Sequence, residues 1–272
     1  MKKKRANRLL NGAYLKADAI MSRVLPPQQP HIVIACMPKT ASTFLATALA
    51  ELPGMRQATL VPAWEQREQE LCPIQLSRYN RRKYVAQCHL RHSRATEFYG
   101  AKYGVTFAVL IRNLADCAIS LRDHLRADPE PVPYAWFGEA QKKLPDDEFE
   151  EAIVRLALPW YINFYAGWRS AGIGAFYDYD DLTADTAGVM RDILARANAP
   201  VGDEAIAAAL GRASANTRTR FNVGRVGRGT GLSPRGKEAL ARMLDFYPEF
   251  ENDPLFIKTR ASLEGENLVA MS

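Results

Sequence analysis

The chain has 272 residues, of which 47% are apolar and 24% charged, and carries a formal net charge of +6. This length buries a full core and the balance is that of a globular protein, with no apolar run of roughly 18 residues to span a membrane. The four cysteines, Cys36, Cys72, Cys88 and Cys117, lack metal-ligand spacing and read as buried thiols of a reducing compartment, so a cytoplasmic protein without a metal is expected.

The positive charge gathers in two places. Lys2, Lys3, Lys4, Arg5 and Arg8 open the chain, and Arg218, Arg220, Arg225, Arg228 and Arg235 crowd a second stretch. Neither carries interleaved aromatics or a recognition-helix pattern, which argues against nucleic acid and for a small anionic ligand at the second. Within residues 1–30, Leu9, Leu10, Ala13, Tyr14, Ala17, Ile20, Met21 and Val24 recur at helical spacing. They predict a basic amphipathic helix, for which packing on the domain is preferred over peripheral contact with an anionic membrane surface. Charges interrupt its apolar positions, so it is not a signal peptide.

His31 to Cys36 predicts a buried parallel strand, followed by the turn Met37-Pro38-Lys39-Thr40-Ala41-Ser42-Thr43 and an apolar helix from Phe44 to Leu52. A strand, a hydroxyl-rich turn and a helix N-terminus make an anion site. First-turn amides have no intrahelical acceptor, the helix dipole adds partial positive charge, and Lys39 adds a whole one. The triphosphate loop G-x-x-x-x-G-K-[ST] shares Lys39-Thr40, but Val33 and Pro38 stand in place of its glycines.

Met55 to Arg82 is polar and irregular, and Lys83 to Cys88 predicts a second strand ending at His89. Ligands of open parallel sheets bind beyond the carboxyl ends of the strands, so His89 is expected to share a crevice with Lys39, whereas His31 points to the other end. His92 and His124 are weaker candidates. Gly104 to Ile111 predicts a third strand ending in Arg112-Asn113, then a helix from Leu114 to Ala127 with Asn113 as cap and Asp116 favourable to its dipole. An arginine at that strand end is suited to gripping a phosphate without metal. The spacing of Asp116 and Ser120 puts both on one helix face.

Arg126 to Pro145, with Pro129, Pro131, Pro133 and Gly138, reads as a loop over the site or an excursion with a short helix. Asp146 to Ser170 is a helical pattern interrupted near Pro159, its aromatic stripe reading as core. Gly174 to Tyr179 predicts a fourth strand, and helices follow over 187–197 and 203–212. Residues 218–231 alternate arginine and glycine as a cationic flap. Ser233-Pro234 caps a last helix to Tyr247, and the tail from Pro248 carries no signal.

Several of these segments resemble the sulfotransferases that use 3'-phosphoadenosine 5'-phosphosulfate (PAPS). Pro38-Lys39-Thr40-Ala41-Ser42-Thr43-Phe44 is similar to their 5'-phosphosulfate loop, Pro-Lys-Ser-Gly-Thr-Thr-Trp, with Ala41 in place of glycine. Arg112 to Ser120 resembles their 3'-phosphate segment, Arg-Asn-Pro-x-Asp-x-x-x-Ser, with Leu114 in place of proline. His89-Leu90 is similar to the Lys-x-His-Leu segment that holds their catalytic histidine, Gln87 replacing the lysine. Tyr179-Asp180-Asp181-Leu182 resembles Tyr-Glu-Asp-Leu, which makes Tyr179 the adenine contact. Gly224 and Gly227 fit the glycines of their Arg-Lys-Gly-x-x-Gly loop, but Asn222 and Val223 replace its basic pair, leaving Arg220, Arg225 or Arg228 to meet the 3'-phosphate.

The resemblance implies one α/β domain over 1–272 in three layers, with a central parallel sheet of about four or five strands. It also implies sulfuryl transfer from PAPS to an acceptor hydroxyl on a carbohydrate, lipid or small molecule, leaving adenosine 3',5'-bisphosphate (PAP). His89 would be the general base and Lys39 would stabilise the leaving phosphate, with no metal. An ATP-dependent small-molecule kinase is the alternative.

Overall fold

The computed structural model describes residues 12–13, 16–17, 20, 27–61, 70–127, 135–216 and 226–265. Most of the expected N-terminal helix, together with Arg220 and Arg225, lies outside them. Of the apolar positions expected to pack, Ala13, Ala17 and Ile20 are described and all are exposed, which corrects the expectation for those residues. No helix among the described residues is long and apolar enough to cross a membrane.

Five parallel strands form one sheet: β1 (His31–Cys36), β2 (Arg56–Gln57), β3 (Tyr84–Cys88), β4 (Val105–Ile111) and β5 (Ala175–Asp178), in the order β2-β3-β1-β4-β5. The unbroken apolar sequence of β1 follows from this central place, since every one of its residues is buried. The chain leaves β1 toward β3 on one side and returns to β4 on the other. The loop after β1 and the end of β4 therefore meet where the strand order reverses, which is where ligands of such sheets bind.

Helices cover both faces. On one lie α1 (Ser42–Ala50), α9 (Thr186–Arg196) and α10 (Asp203–Ala215), where Leu45, Leu49, Met190, Ile193 and Ile206 close over Ile32, Ile34 and Leu110. On the other, α4 (Leu114–Ala127), α6 (Asp146–Leu156), α7 (Leu158–Ala171), α11 (Pro234–Leu244) and α12 (Pro254–Glu264) bury Leu121, Phe149, Trp168, Leu240 and Phe256 against Val33, Ala35 and Val109. The described residues also form α2 (Pro73–Tyr79), α3 (Arg94–Tyr103), α5 (Glu139–Lys142) and α8 (Tyr179–Ala184).

The long pattern over 146–170 is two helices that part at Ala157, just before Pro159, which has no N–H to give the first turn of α7. The four expected strands are present within a residue or so. Differences lie elsewhere: β2, α2, α3 and α12 carry no expectation, and Tyr179 opens a helix instead of ending a strand. Asp178 accounts for that last change, its carboxylate accepting the Asp180 amide at 2.9 Å as a helix cap.

Candidate active site

The loop from Met37 to Ala41 is shaped by backbone conformation. Lys39 and Ala41 both hold left-handed φ, 69° and 56°. That reversal turns the chain from β1 into α1, where the amides of Phe44 and Leu45 fold back onto the Ala41 carbonyl. The Met37 amide donates to Leu110 in β4 at 3.0 Å, anchoring the loop to the sheet. Thr40 is fully buried and its hydroxyl donates to the Met37 carbonyl at 2.7 Å, so this hydroxyl braces the turn. Pro38 is buried beneath the loop, and Thr43 stands exposed in the first turn of α1.

Arg112, at the end of β4, links this loop to the next helix. Its Nη1 donates to the Lys39 carbonyl at 3.0 Å, its Nη2 lies 3.3 Å from the Asp116 carboxylate, and its guanidinium carbon sits 3.9 Å from the centre of the Tyr179 ring. All three side chains are nearly buried, as is Ser120 one turn beyond Asp116. A charged pair stacked on an aromatic face is a rigid arrangement, because the planar guanidinium satisfies the carboxylate and the ring together.

Asp116 has a further role that spacing alone did not reveal. Its two oxygens accept the Gly227 amide at 3.1 Å and the Gly229 amide at 2.6 Å, fastening the end of the glycine-rich stretch over α4. Gly229 admits no side chain, since a Cβ there would lie 2.5 Å from that of Ala115 and 2.9 Å from the backbone of α4. Arg228 pairs with Asp123, which also meets Arg122 at 2.9 Å. Burial raises the Asp123 carboxyl, but the bonds from Arg228 and Arg122 outweigh it and hold the group below its ordinary range.

The β5–α8 turn that presents Tyr179 is tied to the C-terminal helix. Lys258 of α12 reaches Asp178 at 3.0 Å and Asp180 at 2.6 Å, and these acids keep its ammonium charged against the cost of burial. Its carbonyl accepts from Asn113 at 3.1 Å, while the Asn113 side-chain oxygen caps α4 through the Ala115 amide at 2.9 Å.

His89 follows β3 directly, across from the end of β1. Its Nδ1 is 3.0 Å from the Cys36 carbonyl, which makes Nδ1 the protonated nitrogen and Nε2 the basic one. The edge of the half-buried Trp160 ring meets the imidazole at 6.2 Å between centroids. Trp160 packs against the core beside the fully buried Tyr161, Phe164 and Trp168, as the stripe predicts, and its half-buried ring also borders His89. His31 lies at the opposite end of the sheet, bonded to the Tyr103 carbonyl at 2.7 Å, and His92 lies 3.9 Å from Glu97.

No protein-family model matches the sequence, and no curated protein matches it. Among solved structures, mouse sulfotransferase SULT7A1, crystallised with PAP, superposes with a TM-score of 0.62 at 15% identity, over 88% of this chain and 90% of its own. The fold is that of the sulfotransferases. Sulfotransferase STF1 of Mycobacterium tuberculosis reaches 0.48 at 15% identity, over 86% of this chain and 82% of its own. Retinol dehydratase, in complex with androsterone and PAP, reaches 0.45 at 16% identity, over 95% of this chain and 87% of its own. In this fold the loop after β1, the end of β4 and His89 after β3 all lie at the carboxyl edge of the sheet, on neighbouring strands.

Proposed function

We propose that this chain transfers the sulfuryl group of PAPS to a hydroxyl of a small-molecule acceptor. The observation that carries the reading is Arg112, which joins the Lys39 loop to the Asp116 and glycine latch while lying flat on Tyr179. A donor with an anion at each end of an adenosine fits that arrangement. Lys39, Ser42, Thr43 and the α1 amides would hold its 5' end, with Pro38, Thr40 and Ala41 shaping the loop. Arg112 and Ser120 would hold its 3'-phosphate beneath Gly227, and Tyr179 its base. Arg228 keeps Asp123 in place at the edge of that site.

When bound, PAPS supplies an activated sulfuryl group. His89 takes the proton of the acceptor hydroxyl at Nε2 while Nδ1 stays bonded to Cys36. Lys39 and the α1 amides hold the negative charge that develops beside them. Trp160, set at right angles to the imidazole, would give the acceptor an apolar neighbour beside the base. The kinase alternative is disfavoured by the missing loop glycines and by an arginine at the end of β4.

Incubation with labelled PAPS and a panel of phenols, alcohols and sugars tests this reading. Sulfated product is expected with the native chain, and His89→Ala should lose turnover by at least about 100-fold while still binding PAP. Undiminished turnover in that variant would remove His89 from the mechanism.

A further inference from the structure

We propose that Cys36 is the positioning residue of the His89 base, its carbonyl and its sulfur together holding the imidazole with Nδ1 protonated. Four contacts meet there. His89 Nδ1 lies 3.0 Å from the Cys36 oxygen and 3.5 Å from its Sγ, Gln87 Nε2 donates to Sγ at 3.3 Å, and the thiol points to the Cys88 carbonyl at 3.5 Å. The pattern is self-consistent: the S–H has its acceptor in Cys88, so the sulfur lone pairs are left to receive N–H groups from Gln87 and His89. Cys36 is fully buried in the last position of β1, so no solvent competes for these bonds.

The sulfur acts as a soft acceptor beneath the ring, in the place where other base-dependent sites put a carboxylate. A ring that gains a proton at Nε2 becomes cationic, and the polarisable sulfur then faces that charge. Burial raises the thiol, but the charge of His89 and hydrogen bonds from His89, Gln87 and Ser42 outweigh it and lower it overall, so the two groups influence each other. Around the ring, β1 contributes the Cys36 thiol, β3 the uncharged Gln87, and α7 the uncharged edge of Trp160. Lys39 lies in the loop that follows β1. Gln87 stands where the resembled family has a lysine. An uncharged donor to the sulfur keeps a second cation away from the imidazole as it protonates.

The inference rests on His89 as the base of the proposed transfer, and its test separates the two. Nitrogen NMR of the His89 ring reads tautomer and pKa without turnover. The native chain should show the Nδ1–H form. Cys36→Ala, which keeps the carbonyl, should leave the Nδ1–H form in place but lower the ring pKa by about half a unit or more, and Cys36→Ser should restore the pKa. In the transfer assay, Cys36→Ala should lower kcat on the order of tenfold with KM for PAPS unchanged and move the midpoint of the pH profile acidward, with Cys36→Ser recovering both. An unchanged ring pKa and pH midpoint in folded Cys36→Ala, or a native ring protonated at Nε2, would overturn the proposal. If His89→Ala turned over normally, the catalytic role would fall while the ring coupling read by NMR stood.

Discussion

Lys39 and Ala41 hold the loop in a conformation that side chains resist. A left-handed residue with a Cβ costs about 1 to 2 kcal/mol, and Ala41 bears that cost where the resembled family has glycine. The conformation turns the chain from β1 into α1 and lets the Phe44 and Leu45 amides reach the Ala41 carbonyl. Ala41→Gly relieves the strain while loosening the unfolded chain, so the variant should gain about 0.5 to 1 kcal/mol in urea unfolding without losing PAP affinity. A loss of stability would show that the Ala41 methyl contributes packing the strain argument omits. Residues of this kind were visible in the sequence only as motif letters. Cys36 was not visible as a site residue at all, since one small side chain at the end of an apolar run reads as core, and only its place opposite His89 gives it a task.

At the scale of elements, α4 does most of the organising. Arg112 precedes it, Asp116 and Ser120 follow at successive turns, and Asp123 continues the face to Arg228. Arg112 and the helix after it thus touch the loop, Tyr179 and the glycine-rich latch. Its apolar sequence, its Asn113 cap and the strand before it were legible because they are local and continuous. The latch was not, because Asp116 meets Gly227 and Gly229 across 111 and 113 residues. Likewise β2 shows no pattern: its two exposed residues pair through the backbone, Arg56 to Lys83 at 3.2 Å. The last helix escaped notice because its buried face mixes Leu255 and Phe256 with Thr259, Ala261 and Ser262.

The tie between α4 and the turn Arg228–Gly231 also predicts a pH effect. Asp123 titrates below its ordinary range when folded, so its stabilisation is complete above the usual carboxylate value of about 4 and fades as pH falls through the depressed folded value. The difference in unfolding midpoint between the native chain and Asp123→Asn should be present at pH 7 and shrink in acid. A difference that stayed constant from pH 7 to 3 would contradict the pairing.

Across the whole molecule, two cationic side chains at the ends of neighbouring strands, Lys39 after β1 and Arg112 after β4, are brought to the reversal point of the sheet. The parallel order β2-β3-β1-β4-β5 fixes that meeting, and helices on both faces bury the strands that carry it. Calorimetric titration of the native chain with PAP, 5'-AMP and ATP with magnesium tests the claim most directly. The arrangement predicts that PAP binds at least about tenfold more tightly than 5'-AMP, because Arg112 and Ser120 add charge-assisted bonds to the 3'-phosphate. Equal affinity for PAP and 5'-AMP, or binding of ATP with magnesium alone, would contradict it.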